Sequence, residues 1–137
     1  MLVGSQQRSY VMFDISSIPS SALVSAATLK LCRTNSSGSA RTQELRPVEA
    51  PWTEALLTWD TQPLLAPSAL SIISVPSSAG CVTTDVTIDV QAWLAGALNF
   101  GWRIADTDEV SAPQVDWATR ENPTTGERPT LSVTYTP

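Results

Sequence analysis

The strongest constraint on this chain is a period of two in its apolar residues. Val82, Val86, Ile88 and Val90 alternate with Thr83, Asp85, Thr87 and Asp89. Val11, Phe13 and Ile15 alternate with Tyr10, Met12 and Asp14, and Ala27, Leu29 and Leu31 with Thr28, Lys30 and Cys32. Successive side chains of a strand point to opposite faces, so this pattern puts one face in a core and the other in water. Segments 100–105, 115–120 and 130–135 read as further strands, and Leu131, Val133 and Tyr135 share a face in the last. Ser, Gly, Pro and Asn clusters at 17–21, 35–38, 77–80 and 122–126 have turn chemistry. Helix is expected only at 89–97, ended by Gly96, with a short turn at 16–19. Residues 54–59 fit either a helical turn or a bent strand.

About eight short strands separated by turns predict an all-β fold, a two-layer antiparallel sandwich or jelly roll. The 137 residues match the size of one domain, so a single sandwich over 1–137 is expected. Apolar residues make up 42% of the chain, too many for a disordered polymer. No apolar run reaches the roughly 18 residues of a membrane-spanning helix, and no membrane insertion is expected.

Composition removes much chemistry. The absence of His excludes Ser-His-Asp and Cys-His catalysis and His-ligated zinc. Two cysteines cannot close a structural zinc site. Cys32 and Cys81 are either two buried thiols or a disulfide, which would stabilise by about 3–4 kcal/mol in the chain-entropy model. A net charge of −5 with scattered basic residues argues against a nucleic-acid partner. No acidic pair stands out with the facing geometry of glycoside hydrolysis. A non-enzymatic chain with no required cofactor is therefore expected. Its Ser/Thr-rich, Lys-poor, acidic composition points to an extracellular or cell-surface location.

Several ordered segments resemble one family. Residues 8–19 (RSYVMFDISSIP) are followed by 24–31 (VSAATLKL), 50–54 (APWTE) and 58–63 (TWDTQP). Then come 89–96 (DVQAWLAG), 99–101 (NFG), 119–122 (TREN) and 128–135 (RPTLSVTY). Together they resemble the DNRLRE-type domains. The resemblance implies a jelly-roll sandwich related to carbohydrate-binding modules, including alginate binders, and carries over no catalytic residue. Such domains start with one or two strands before the segment matched by 8–19, so an early strand is expected to be missing here. Trp102 and Trp117 stand where the pattern has an aliphatic residue and a Phe or Tyr.

Two function classes follow. The first is a structural or adhesive module that packs through open sheet edges against copies of itself or neighbouring domains of a surface protein. Its edge residues would be Arg8, Tyr10 and Met12 on the first strand and Thr130, Ser132 and Thr134 on the last. The second is a polysaccharide-binding module, with alginate as one acidic candidate. Trp102 and Trp117 would stack on sugar rings, with Arg103 and Arg120 as polar neighbours, and Arg8, Arg33, Arg41 and Arg46 could share a face. Core packing is the competing reading for both Trp; Trp102 alternates in step with Ile104. Trp52, Glu54 and Trp59 read as a structural cluster and Trp93 as a core plug. Asp106, Asp108 and Glu109 form an acidic loop that would supply oxygen ligands to a structural Ca²⁺, against the alternative of a solvated loop.

Overall fold

The computed structural model describes residues 2–3, 8–36, 40–57, 61–65, 71–107 and 115–137. The strands are β1 (Leu2–Val3), β2 (Arg8–Val11), β3 (Leu23–Arg33), β4 (Arg41–Pro47), β5 (Ser71–Val75), β6 (Gly80–Asp85), β7 (Trp102–Asp106) and β8 (Thr130–Thr136). Helix α1 spans Thr87–Leu94, and a 3-10 turn lies at Thr125–Glu127. Sheet A is five-stranded in the order β1-β2-β7-β4-β5, and sheet B is three-stranded in the order β6-β3-β8. Every pairing is antiparallel. The chain crosses between sheets from β2 to β3, β3 to β4 and again from β5 onward, which is the layered, non-sequential order of a jelly roll.

The core lies between the sheets. Leu29 and Leu31 of β3 face Leu45, Ile73, Val75, Trp102 and Ile104 of sheet A, and all are buried. Each such side chain contributes about 1.5–3 kcal/mol of transfer free energy. Ser71 on β5 donates a hydrogen bond to the Asp85 carbonyl of β6, tying the sheets together along one side. Cys32 and Cys81 sit directly opposite each other on β3 and β6 and form a disulfide, resolving the two alternatives left by the sequence.

Three departures from the expected strands have local causes. The alternation at 82–90 breaks at Asp85, and α1 begins at Thr87 rather than at 89. Val86, Val90, Trp93 and Leu94 all pack on the core, a spacing of four, seven and eight that fits a helical face as well as the first two fit a strand. Ile88, the residue that made the alternation look strand-like, is 79% exposed. Segment 115–120 makes a single bridge, Arg33 to Trp117, instead of a strand. Finally, the segment 8–15 pairs only as far as Val11, where Gly101 leaves no room for a Cβ beside the Val11 carbonyl.

Strand β4 carries little apolar signal. In β4 only Leu45 is an aliphatic facing the core, beside buried Gln43 and the polar Thr42, Glu44 and Arg46.

A second, smaller cluster sits on the outer side of sheet A. Tyr10, Val48 and Leu57 are buried there, with Trp52, Leu65 and Phe100 packed against them. It anchors segment 48–57 over β2, which positions the candidate site.

Candidate functional site

A groove of about 1150 Å³ opens where β2 runs out of sheet A. Its floor is apolar: Val11, Phe13, Leu31, Ile104 and Trp117 reach it from the main core. Three chain segments make its walls.

The first wall is 9–14. Beyond Val11 the chain leaves the ladder and is held by Asn99, whose Nδ2 donates to the Phe13 carbonyl at 2.8 Å. Gly101 makes the passage possible. Its φ is +75°, and a Cβ there would collide with the Val11 carbonyl and Met12. Asp14 then closes a tight turn, its Oδ1 accepting the Ser16 N–H at 2.8 Å. Hydrogen bonds from the Ser16 side chain and then its backbone hold the Asp14 carboxyl below the usual carboxylate range.

The second wall is 117–121. The Ala118 N–H donates to the Cys32 carbonyl and the Thr34 N–H to the Asp116 carbonyl, both at 2.8 Å, so this segment lies along the end of β3. Asn35 fixes it further by accepting the Asp116 N–H. Trp117 is thereby set with one part of its ring on the core and the rest lining the groove. Its Nε1–H donates to Gln43 at 3.1 Å, which holds the ring plane in place.

The third wall is 52–55. Trp52 donates to the Phe100 carbonyl at 2.6 Å and lies against the Tyr10 ring, centroids 5.5 Å apart. Across the rim, Arg120 reaches Glu54 with two hydrogen bonds of 3.1 and 3.3 Å, joining the second wall to the third. That contact is the leading cause holding the Glu54 carboxyl below its usual range. Asp14 and Glu54 are therefore ionised throughout the neutral and mildly acidic range.

The groove brings together only part of the residues expected from the sequence. Trp117 and Arg120 line it, as do Tyr10 and Met12 from the expected packing edge. Trp102 does not. It is 0% exposed, packed against the Trp93 ring and edge-on to Phe13, and donates to Asp89 at 2.7 Å, so it cannot touch a ligand. Arg103 is also withdrawn: it is 8% exposed on the outer side of sheet A and donates to Glu44 at 2.6 Å. Trp52 was expected to be purely structural, yet it both pins its loop and lines the groove. Its partner in that expectation, Trp59, lies outside the described residues. Trp93 packs on the core as expected.

The edge expectation is corrected in one half. Strand β2 lies between β1 and β7, with Arg8 and Ser9 paired to Val3 and Leu2, so it is not a sheet edge there. Arg8 and Tyr10 both donate to Gln62, which draws them toward the overlying loop, and Met12 lies beyond the strand with 48% exposure. Strand β8 ends its sheet, with Thr130, Ser132 and Thr134 exposed.

The Ca²⁺ expectation loses its anchor. Both carboxylate oxygens of Asp106 accept from Arg41 at 2.9 Å, so a guanidinium already occupies the cation position beside that buried acid. Asp108 and Glu109 lie outside the described residues. Among the described residues, no group of three or more Cys, Asp or Glu is placed to hold a metal ion.

The arginines do not form a shared cationic face. Arg8 and Arg46 lie on the outer side of sheet A, where Arg46 is bound to Glu44. Arg33 and Arg41 sit together at one end of the sandwich, Arg33 donating to Asn35 and the Pro76 carbonyl. Arg128 and Lys30 donate to the carbonyls of Asn122 and Gly126.

An apolar trough with two partly exposed Trp and a polar rim has the make-up of a site for amphipathic rings. No curated protein matches the chain. A family model does, over residues 2–135, described as carbohydrate-binding module family 96. That description names a carbohydrate-binding family and not the DNRLRE-type domains that the motifs resemble. The match covers nearly the whole chain and agrees with the sandwich: the chain belongs to carbohydrate-binding module family 96.

Proposed function

We propose that this chain is a non-catalytic polysaccharide-binding domain and that the groove beside β2 is its binding site. The observation that carries the reading is Trp117, a partly exposed indole locked by Gln43 over an apolar floor. A pyranose ring has an apolar C–H face and hydroxyl edges. The indole would take the face, while Asp14, Glu54 and Glu121 accept from hydroxyl groups and Arg120 donates to ring or hydroxyl oxygens. Trp52 would support a neighbouring sugar residue.

Binding without turnover fits the acid–base state of the rim. A glycosidase needs one carboxylic acid with a raised pKa to protonate the leaving group. Asp14 and Glu54 are shifted the opposite way. Asp89 is shifted upward by burial, but it accepts the Trp102 N–H and does not line the groove. The disulfide supports an extracellular or cell-surface setting, since such bonds persist in oxidising compartments. Family membership favours this reading over packing through sheet edges, and the enclosure of β2 weakens the edge role further.

Affinity electrophoresis through gels containing soluble polysaccharides tests the proposal. At least one polymer should retard the protein, and Trp117→Ala should abolish the retardation while far-UV circular dichroism stays unchanged. Thr119→Arg, which crowds the groove from an exposed position, is a second variant expected to weaken binding without touching the core. A folded protein that ignores every polymer, or retardation indifferent to both variants, would overturn it.

A further inference from the structure

Among the described residues, the sheets end in four strands: β1 and β5 in sheet A, β6 and β8 in sheet B. Three of these edges are blunted. Strand β1 is two residues long, and β5 and β6 run beside each other, joined where Ser71 donates to the Asp85 carbonyl. Strand β8 is different. Its extensive contacts among the described elements are with β3 alone, and outside β3 no described residue hydrogen-bonds to its backbone. An outer row of N–H and C=O groups therefore faces away from the sheet. Edge strands that stay single are guarded by charge, proline, a bulge or brevity. The seven residues Thr130–Thr136 have none of these: TLSVTYT is uncharged and free of proline, and the ladder's irregularity at Val24–Ala26 belongs to β3. The apolar face also stops short at this edge. Leu131 and Val133 pack on the core yet are only half-buried, and Tyr135, on the same face, is 38% exposed.

We propose that β8 pairs with β8 of a second copy of this chain, antiparallel about a two-fold axis at Val133, joining two three-stranded sheets into one. The strand is self-complementary in that register. Pro129 meets Pro137 at both ends and, having no N–H, closes the ladder there. Between them Thr130 meets Thr136, Leu131 meets Tyr135, Ser132 meets Thr134, and Val133 meets its own copy. Each pair sets apolar against apolar or hydroxyl against hydroxyl, and no like charges are opposed. The Leu131, Val133 and Tyr135 side chains gain the cover that sheet A does not give them. A two-fold contact uses the same patch on both chains and closes at two, so it does not grow into a fibre. The inference does not depend on what the groove binds: of the described lining residues, only Pro129 adjoins β8 in the sequence.

The experiment is sedimentation equilibrium of the whole chain from about 1 μM to about 1 mM, since association follows mass action. The mass should rise from that of one 14.7 kDa chain to twice that value and stop there. Two double substitutions at exposed positions read the register. Ser132→Lys with Thr134→Lys sets Lys opposite Lys at both symmetric pairs and should weaken the dimer at least about tenfold. Ser132→Lys with Thr134→Glu sets Lys opposite Glu at the same pairs and should keep the dimer within about threefold of the unaltered chain. Thermal midpoints of both variants check that the sandwich is intact. A further measurement needs no variant: the outward β8 amides, open to water in a single chain, should exchange more slowly as concentration rises. A single-chain mass throughout, which leaves the edge to a strand of some other protein, would overturn the proposal. So would growth beyond two chains, β8 exchange indifferent to concentration, or a dimer that responds alike to both double substitutions.

Discussion

Trp102 and Asp89 form the most consequential polar contact in the core. Trp102 is 0% exposed and packs against the Trp93 ring at 4.7 Å. Its one donor goes to Asp89 Oδ2 at 2.7 Å. Asp89 lies in the first turn of α1, half-buried, and burial raises its carboxyl above the usual range while the Trp102 hydrogen bond pulls it back. Replacing Trp102 with Phe removes that donor and part of the ring volume. A hydrogen bond to a charged group contributes about 1.5–3 kcal/mol, and the lost volume about 1 kcal/mol more. A loss near 3 kcal/mol is expected, within the reserve of about 5–15 kcal/mol of an ordinary domain. Asp89→Asn keeps an acceptor for the indole and removes the buried charge, so alone it should change stability by less than about 1 kcal/mol. In that background Trp102→Phe should cost only about 2 kcal/mol, because the contact it breaks is then neutral. The difference is a coupling of about 1 kcal/mol, readable from urea midpoints by circular dichroism in a double-mutant cycle. The pH dependence has a definite sign. A carboxyl whose folded pKa is raised favours folding when protonated, so this contribution is full at acid pH and is lost as pH rises through the folded value. Trp102→Phe should therefore enlarge the gain in stability on acidification. Equal costs of Trp102→Phe in both backgrounds, with no change in the pH dependence, would contradict the assignment of Asp89 as the coupled charge.

Other consequences are as specific. Gly101→Ala should destabilise the chain by about 2–4 kcal/mol or prevent folding, since it combines a positive φ with a collision against backbone at Val11; a thermal midpoint unchanged by the substitution would refute the close approach. Reducing the Cys32–Cys81 bond, which spans 49 residues, should lower stability by up to about 4 kcal/mol in the chain-entropy model, measured by denaturation with and without a reductant. Asp14 and Asp85 are held low by Ser16 and Thr87, so Ser16→Ala and Thr87→Ala should move the two carboxyl titrations upward, as followed by NMR. Their stabilisation is present above the usual carboxylate pKa and is lost as pH falls through the folded values. Disrupting the exposed Glu54–Arg120 pair with Glu54→Gln should leave the thermal midpoint almost unmoved while shifting the Arg120 guanidinium and altering glycan affinity.

Local alternation was enough to read the sandwich, the 27–32 part of β3, the strand at 130–135 and the inward direction of Trp102 beside Ile104. Each of these depends on the geometry of a single strand, where the faces are assigned by counting residues. Leu29 and Leu31, or Leu131 and Val133, carry that information within a few positions of one another. The same counting misplaced Val86 and Val90, because an i, i+4 pair satisfies both a strand and a helix until Trp93 and Leu94 are added. It also had no means of seeing β4, whose core face offers little besides Leu45.

The groove belongs to tertiary structure alone. Residues 9–14, 52–55 and 117–121 meet only because β2 docks on β7, Trp52 reaches Phe100, and Ala118 bonds to Cys32. No local pattern records those separations. Trp117 and Arg120 were recognisable as residue types suited to sugars, yet their availability was set by Gln43 and Glu54, partners 74 and 66 residues away. The pairing of Arg103 with Glu44 and the occupation of Asp106 by Arg41 were decided the same way. A strand's faces follow from short-range covalent geometry and steric alternation, whereas charge pairing and the convergence of loops depend on which strands become neighbours. That is a matter of register and burial across the whole sandwich, and it determined which of the suitable side chains could meet a ligand.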